Sequence, residues 1–223
     1  LGWFGALERS IKTTAKQGTG IMGEVQEYLQ LTIGAVLVYN FVLARFLGIC
    51  PFLGVSKRLD TALGMSGAVI FVMTLASFVT SIIYNYLLKQ DVSFFGHTFN
   101  FGFLRIILFI LVIASLVQLV EIIVQKISPP LYSALGIYLP LITTNCAVMG
   151  VATINANQNY TVWKSTLFGF FSALGFALAL VLFSSLRERL ELSQVPKPFQ
   201  GMAIALITAG ILAMAFIGFS GLC

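Results

Sequence analysis

The sequence predicts an all-α polytopic membrane protein: six transmembrane helices forming two inverted three-helix repeats, with helices one and four broken. Three observations carry this prediction. The chain is too apolar for a soluble globule, its apolar residues fall into six membrane-length runs, and a cysteine motif recurs at equivalent points of two three-span halves. Of 223 residues, 58% are hydrophobic and 9% are charged, and the mean hydropathy is +0.96. A soluble domain carries about 25% charged residues, so this chain cannot cover a globular surface with charge. Disorder, collagen-like repeats, coiled coil and a small disulfide scaffold fail on the same composition. The net charge of +5 is too thinly spread to suggest nucleic acid. At about 20 residues per span, the helices use up the length and leave no room for a soluble catalytic domain. Three cysteines without a C-x-x-C pair exclude a zinc ribbon.

The predicted spans are 29–51, 61–88, 104–125, 131–154, 162–186 and 201–222. The second ends at Lys89, before a polar, aromatic loop from Asp91 to Asn100 that contains His97. Ser128-Pro129-Pro130 separates the third from the fourth, because paired prolines cannot continue a helix. The run Asn155 to Tyr160 separates the fourth from the fifth. Arg187-Glu188-Arg189 and the Pro196/Pro198 pair separate the last two. Repeat one covers 29–125 and repeat two 131–222, inside a transmembrane domain of residues 22–222.

Positive charge is unequal between the two faces. Loops after spans one, three and five carry Lys57, Arg58, Lys126, Arg187, Arg189 and Lys197, whereas those after spans two and four carry only Lys89 and Lys164. The positive-inside rule makes the first set cytoplasmic and puts both termini outside. Residues 1–21, with Arg9, Lys12 and Lys16, do not fit that topology, and no apolar core follows them as in a signal peptide. We expect Met22 to be the natural start and 1–21 to be an upstream extension.

Cys50-Pro51-Phe52-Leu53-Gly54-Val55 aligns with Cys146-Ala147-Val148-Met149-Gly150-Val151, 96 residues later. Each copy lies in the first helix of a three-span half, and an odd number of spans per half inverts the second, an architecture known from transporters. Cys50 is seven residues before Lys57 and Cys146 nine before Asn155. At about 1.5 Å per residue, both sulfurs come close to the middle of a hydrocarbon core about 30 Å thick. Gly48, Pro51 and Gly54 in span one, and Gly136, Pro140 and Gly150 in span four, are helix-breaking residues. Breaks at that depth are tolerated only where protein or a cavity satisfies the freed backbone. Three readings of the cysteine pair stay open: buried apolar residues, a disulfide, or metal ligands. Zinc and iron–sulfur sites usually take four ligands, so two cysteines here would need two from a second chain.

The segments Asn40 to Val55, Leu139 to Val151, Ala203 to Gly210 and Gly218 to Leu222 resemble the A-subunit family of Rnf electron-transport complexes. The likeness runs from Met22 to Leu222 and extends to related subunits of the sodium-pumping NADH:quinone oxidoreductase. It implies a membrane subunit of a ferredoxin:NAD+ oxidoreductase of a bacterial or archaeal cytoplasmic membrane, coupled to Na+ or H+ transport. It further implies a [2Fe–2S] cluster inside the membrane, ligated by Cys50 and Cys146 and completed by the homologous E subunit. Flavins, other clusters and the NAD site belong to the B, C, D and G subunits, and no nucleotide loop occurs here.

Such a cluster is anionic, so compensation is expected nearby. Arg45, at a cost of about 2.5–3.5 kcal/mol inside a span, is expected to offset that charge or to pair with Glu121. Thr143, Thr144 and Asn145 are candidate donors to cluster sulfur, or alternatively helix–helix hydrogen bonds. Gly54 and Gly150 would allow close backbone approach or serve as packing positions. Asn40, Gln118 and Glu121 are candidates for an ion path or an intramembrane pair. A cofactor-free inverted-repeat transporter or channel is the competing class; it explains the topology and gives the paired cysteines no role. A purely structural anchor would not need Arg45, Asn145 or Glu121.

The orientation is testable by reporter fusion. Alkaline phosphatase inserted at Lys57–Arg58 should be inactive and at Asp91–Asn100 active; the reverse pattern would invert the topology.

Overall fold

The structure, a computed structural model, describes residues 26, 28–29, 31–38, 40–88, 102–127, 139–193, 196 and 200–218. Residues 1–21, the loop with Lys89 and His97, the stretch from Ser128 to Gly136, and Lys197 and Cys223 lie outside them. The described chain is all helical, with α1 Ile49–Val55, α2 Leu59–Ile83, α3 Gly102–Ile127, α4 Leu139–Thr143, α5 Cys146–Asn157, α6 Val162–Glu191 and α7 Met202–Ile217. Two π-helical turns, Gly34–Val38 and Tyr84–Leu88, precede the first break and extend α2.

Among the described residues, three helices are long and apolar enough to cross a membrane: Leu59–Tyr86, Ile106–Ile123 and Val162–Glu191. They match predicted spans two, three and five. Helix α7 is apolar but has 16 residues, about 24 Å at 1.5 Å per residue. Predicted spans one and four are each interrupted. The first passes from the π turn through an irregular segment, 40–48, before α1; the fourth breaks at Thr144–Asn145 between α4 and α5. The prolines do not cause the breaks. Pro51 is in the first turn of α1 and Pro140 is the second residue of α4, where a missing N–H costs little. Gly54 and Gly150 lie inside helices. Gly48, at φ +81°, is the backbone position that only glycine accepts readily.

Helices α2 and α6 form the centre. The buried face of α2 repeats every three or four residues, through Ala62, Met65, Val69, Val72, Ala76 and Thr80. That of α6 is lined by small residues, among them Ser165, Gly169, Ser172, Ala173 and Ala179, which let helices approach closely in a membrane. The two run antiparallel. Tyr84 at the far end of α2 donates to Asn159 Oδ1, just before α6, at 2.9 Å. Arg187, near the end of α6, reaches Ser56 Oγ, just before α2, at 3.0 Å. The far end of α2 and the α5–α6 connection therefore share one end, and the start of α2 and the last turns of α6 the other.

Two predicted joints change. Asn155 is in α5 and buried, its Nδ2 donating to Ser165 O at 3.3 Å, so the α5–α6 connection is shorter than expected. Arg187, Glu188 and Arg189 belong to α6 and not to a loop, because Arg187 finds its partners by staying on the helix.

Several threonine hydroxyls in these helices bond to their own backbone, whereas those of Ser165, Ser172 and Ser184 on α6 are buried without a partner. Thr74, Thr80 and Thr153 donate to the carbonyl four residues earlier at 2.6–2.8 Å, so they need no water. Helix α3 instead exposes Ile106, Ile107, Ile110, Leu111, Leu119, Ile122 and Ile123. That surface suits lipid or a second chain, not water.

Gly175 on α6 touches the first span backbone to backbone. A Cβ there would lie 2.9 Å from Val36 O and 3.0 Å from Ala35 O. Gly175→Ala should therefore lower thermal stability in detergent by about 1–3 kcal/mol, the usual cost of overpacking. Gly64→Ala, where a Cβ meets nothing within 4 Å, should be neutral or slightly stabilising. Equal melting temperatures would remove the claimed contact.

Candidate metal centre

The irregular segment 40–48 is held from within. Ala44 N donates to Asn40 O at 2.9 Å, Phe46 N to Val42 O at 3.1 Å and Leu47 N to Phe41 O at 2.9 Å. Asn40 is fully buried, and its Nδ2 donates to Gly175 O at 2.6 Å and to Val36 O at 3.4 Å, while Oδ1 accepts from Val42 N at 3.1 Å. Its side chain thus ties the first break to α6. The second break is closed by Asn145, the N-cap of α5, whose Oδ1 accepts from Ala147 N at 3.0 Å.

The two breaks meet. The N–H of Gly48, next to α1, points at Cys146 Sγ at 2.9 Å. Residues from both sides cross over: Gly150 faces Leu47 and Phe41, and Gly54 faces Leu141. Cys50 is the second residue of α1 and Cys146 the first of α5. Both thiols are free and exposed, although their neighbours Pro51 and Ala147 are buried. No disulfide joins them. No group of three or more His, Cys, Asp or Glu residues able to hold a metal occurs among the described residues.

The other expected site residues divide. Asn145 is buried beside Cys146, and its Nδ2 has no hydrogen-bond partner. Thr144 donates its hydroxyl to Pro140 O at 2.8 Å, and Thr143 is half-buried. Arg45 is half-buried with its guanidinium carbon 5.5 Å from the Phe41 ring centroid. Gln118 is exposed and Glu121 half-buried on α3, a different element from the two breaks.

Arg187 belongs to this region although the sequence shows it only as a loop cation. It is 7% exposed and its Nη1 donates to Leu53 O at 2.9 Å as well as to Ser56 Oγ. A cation on the last carbonyls of α1 satisfies groups that the helix leaves open and complements its dipole. Phe52 stacks on Phe183 of α6 with centroids 4.3 Å apart. The half-helix bearing Cys50 is thus bolted to α6 twice.

A model of the Rnf-Nqr subunit family, described as a membrane protein, matches residues 28–223. The chain belongs to the Rnf-Nqr family. It is 54% identical over 198 residues to the A subunit of the ion-translocating oxidoreductase complex of Shewanella piezotolerans, covering 89% of this chain and 99% of that protein. The same figures hold for its counterpart in Shewanella oneidensis. The counterpart in Sodalis glossinidius is 54% identical over 195 residues, 87% of this chain and 97% of its own. The resemblance seen in the sequence motifs is therefore borne out at the level of the family.

Arg187→Met should free α1 from α6, since bonds from a charged donor contribute about 1.5–3 kcal/mol each. The expected result is a lower melting temperature and faster maleimide labelling of Cys50, with Arg187→Lys intermediate. Unchanged labelling would mean that the Phe52–Phe183 stack alone holds the half-helix.

Proposed function

We propose that this chain is the A subunit of an ion-translocating ferredoxin:NAD+ oxidoreductase, and that Cys50 and Cys146 are its half of an intramembrane [2Fe–2S] centre. The chain is a subunit of an ion-translocating oxidoreductase complex of the Rnf type, with the B, C, D, E and G subunits as partners in the cytoplasmic membrane. The E subunit, a homologue of opposite orientation, supplies the other two thiolates. The observation that carries this reading is the meeting of two broken spans, each with a free, exposed cysteine in the first turn after its break.

The residues present fit such a group. Two soft thiolate donors suit iron–sulfur ligation, and each cysteine loses its thiol proton on binding. Cys146 stands at the N-terminus of α5, a 12-residue helix whose dipole favours negative charge there. The unpartnered Nδ2 of Asn145 adds a donor beside it. Arg45 supplies a cation on the segment leading to Cys50, offsetting charge there or pairing with Glu121. The bound group supplies a one-electron redox centre partway across the bilayer, which divides the crossing into shorter steps. Moving a charge the whole way is worth about 2.3 kcal/mol per 100 mV.

Two three-span repeats of opposite orientation, six spans in all, support the pairing. Leu47 on Gly150 and Leu141 on Gly54 are nearly the same contact exchanged between halves 96 residues apart. Ser77 against Gly169 marks the crossing of α2 and α6, the second helix of each half. In this reading both termini are outside, Gln118 on the exposed face of α3 is a contact to another subunit, and electron transfer is coupled to Na+ or H+ movement. Asn40, already committed to backbone, serves the break rather than an ion.

EPR and iron analysis of the purified complex test the proposal. Cys50→Ala or Cys146→Ala should abolish a [2Fe–2S] signal while the complex still assembles. Full cluster content in both variants would reduce the pair to packing residues and favour a cofactor-free transporter.

A further inference from the structure

The contact between the two breaks is a directed one. Gly48 N lies 2.9 Å from Cys146 Sγ, the donor from the first broken span and the acceptor from the fourth. Gly48 is held in the left-handed region at φ +81°, and it is enclosed as well. A Cβ there would lie 2.8 Å from Phe176 Cε2, 3.0 Å from Asn145 Oδ1 and 3.3 Å from Ala147 Cβ. Backbone conformation and lack of space both require glycine, and together they aim its N–H at the sulfur. Asn145 fixes the acceptor side, because capping Ala147 N sets the first turn of α5 on which Cys146 stands.

We propose that Gly48 is a positioning residue for the redox centre: its peptide N–H donates to Cys146 Sγ in the ligated state and raises the midpoint potential. The inference rests on the [2Fe–2S] reading above and deepens it. A ligand thiolate keeps lone pairs, and one-electron reduction of the centre places more negative charge on its sulfurs. A fixed N–H dipole then stabilises the reduced form more than the oxidised one, as hydrogen bonds to cluster sulfurs do in general. The effect is enhanced where water is excluded. Gly48 is two residues before Cys50, so the segment that carries one ligand sets the electronics of the other. Any shift of α1 against α5 therefore changes the potential.

The test uses the whole complex from cells supplied with 15N-glycine, reduced with dithionite and read by pulsed EPR. A 15N coupling to the reduced cluster is expected, because the donor nitrogen is a glycine peptide nitrogen. In Gly48→Ala/Phe176→Leu, which relieves only the tightest contact of the added methyl group, the coupling should vanish because position 48 no longer carries the label, and the midpoint potential should fall because alanine disfavours the +81° φ that aims the N–H at the sulfur. Phe176→Leu alone should keep both. A reduced cluster without glycine-derived coupling in the unmodified complex overturns the inference, as does a coupling that persists unchanged in the double variant. Absence of any [2Fe–2S] signal dependent on Cys50 and Cys146 overturns the underlying reading, and this inference with it.

Discussion

Backbone broken inside a hydrocarbon phase must find its hydrogen bonds within the protein, since each unmet group costs several kcal/mol there. That constraint organises this chain. Its first span leaves helical geometry between Val38 and Ile49; segment 40–48 meets much of its backbone from within, and one helix holds it in place. Along α6, Gly175 accepts from Asn40 and lies against the π turn, Phe176 covers Gly48, Phe183 stacks on Phe52, and Arg187 caps Leu53. The second break is simpler: a single residue, Asn145, caps α5 with its own side chain. Because the first break is pressed onto the second at Gly48 and Asn145, the two cysteines come to one region without any covalent link.

Much of the architecture is legible because membrane solvation makes sequence patterns blunt. A run such as Gly102 to Ile127 has few structures open to it in a bilayer, and α3 forms over nearly the predicted length. The breaks are legible from glycine and proline density, but their cause is not. Pro51 and Pro140 begin half-helices, whereas Gly48 carries the left-handed turn, and sequence alone does not tell a starting proline from an interrupting one. The cysteines stand out through their repeated context.

Arg187 escapes a sequence reading for a definite reason. Beside Glu188 and Arg189, at the end of an apolar run, an arginine has the composition of a loop, and the positive-inside rule uses it as such. Its role depends on a carbonyl 134 residues away in sequence, which no local pattern encodes. Asn40 is legible as unusual, a polar side chain in a span, and its function is not. The same burial that suggests an ion path also arises where an amide replaces lost backbone bonds, and only the partner atoms, Gly175 O and Val42 N, separate the two.

The exposure of the cysteines bears on their chemistry more than their proximity does. Free cysteine is among the most buried residue types and packs as a small apolar group. Here Cys50 and Cys146 are exposed residues although Pro51 and Ala147 beside them are buried. On the reading proposed above, that exposure is what a half-site needs, with neither cysteine engaged in a disulfide. Two ligands presented on a surface gain their function only when a second surface with two more is laid against them, and a chain built of opposed halves is well shaped to meet a relative built the same way. On that reading the exposed cysteines and the contact across the breaks serve one purpose, with the redox site and the interface between chains in the same place.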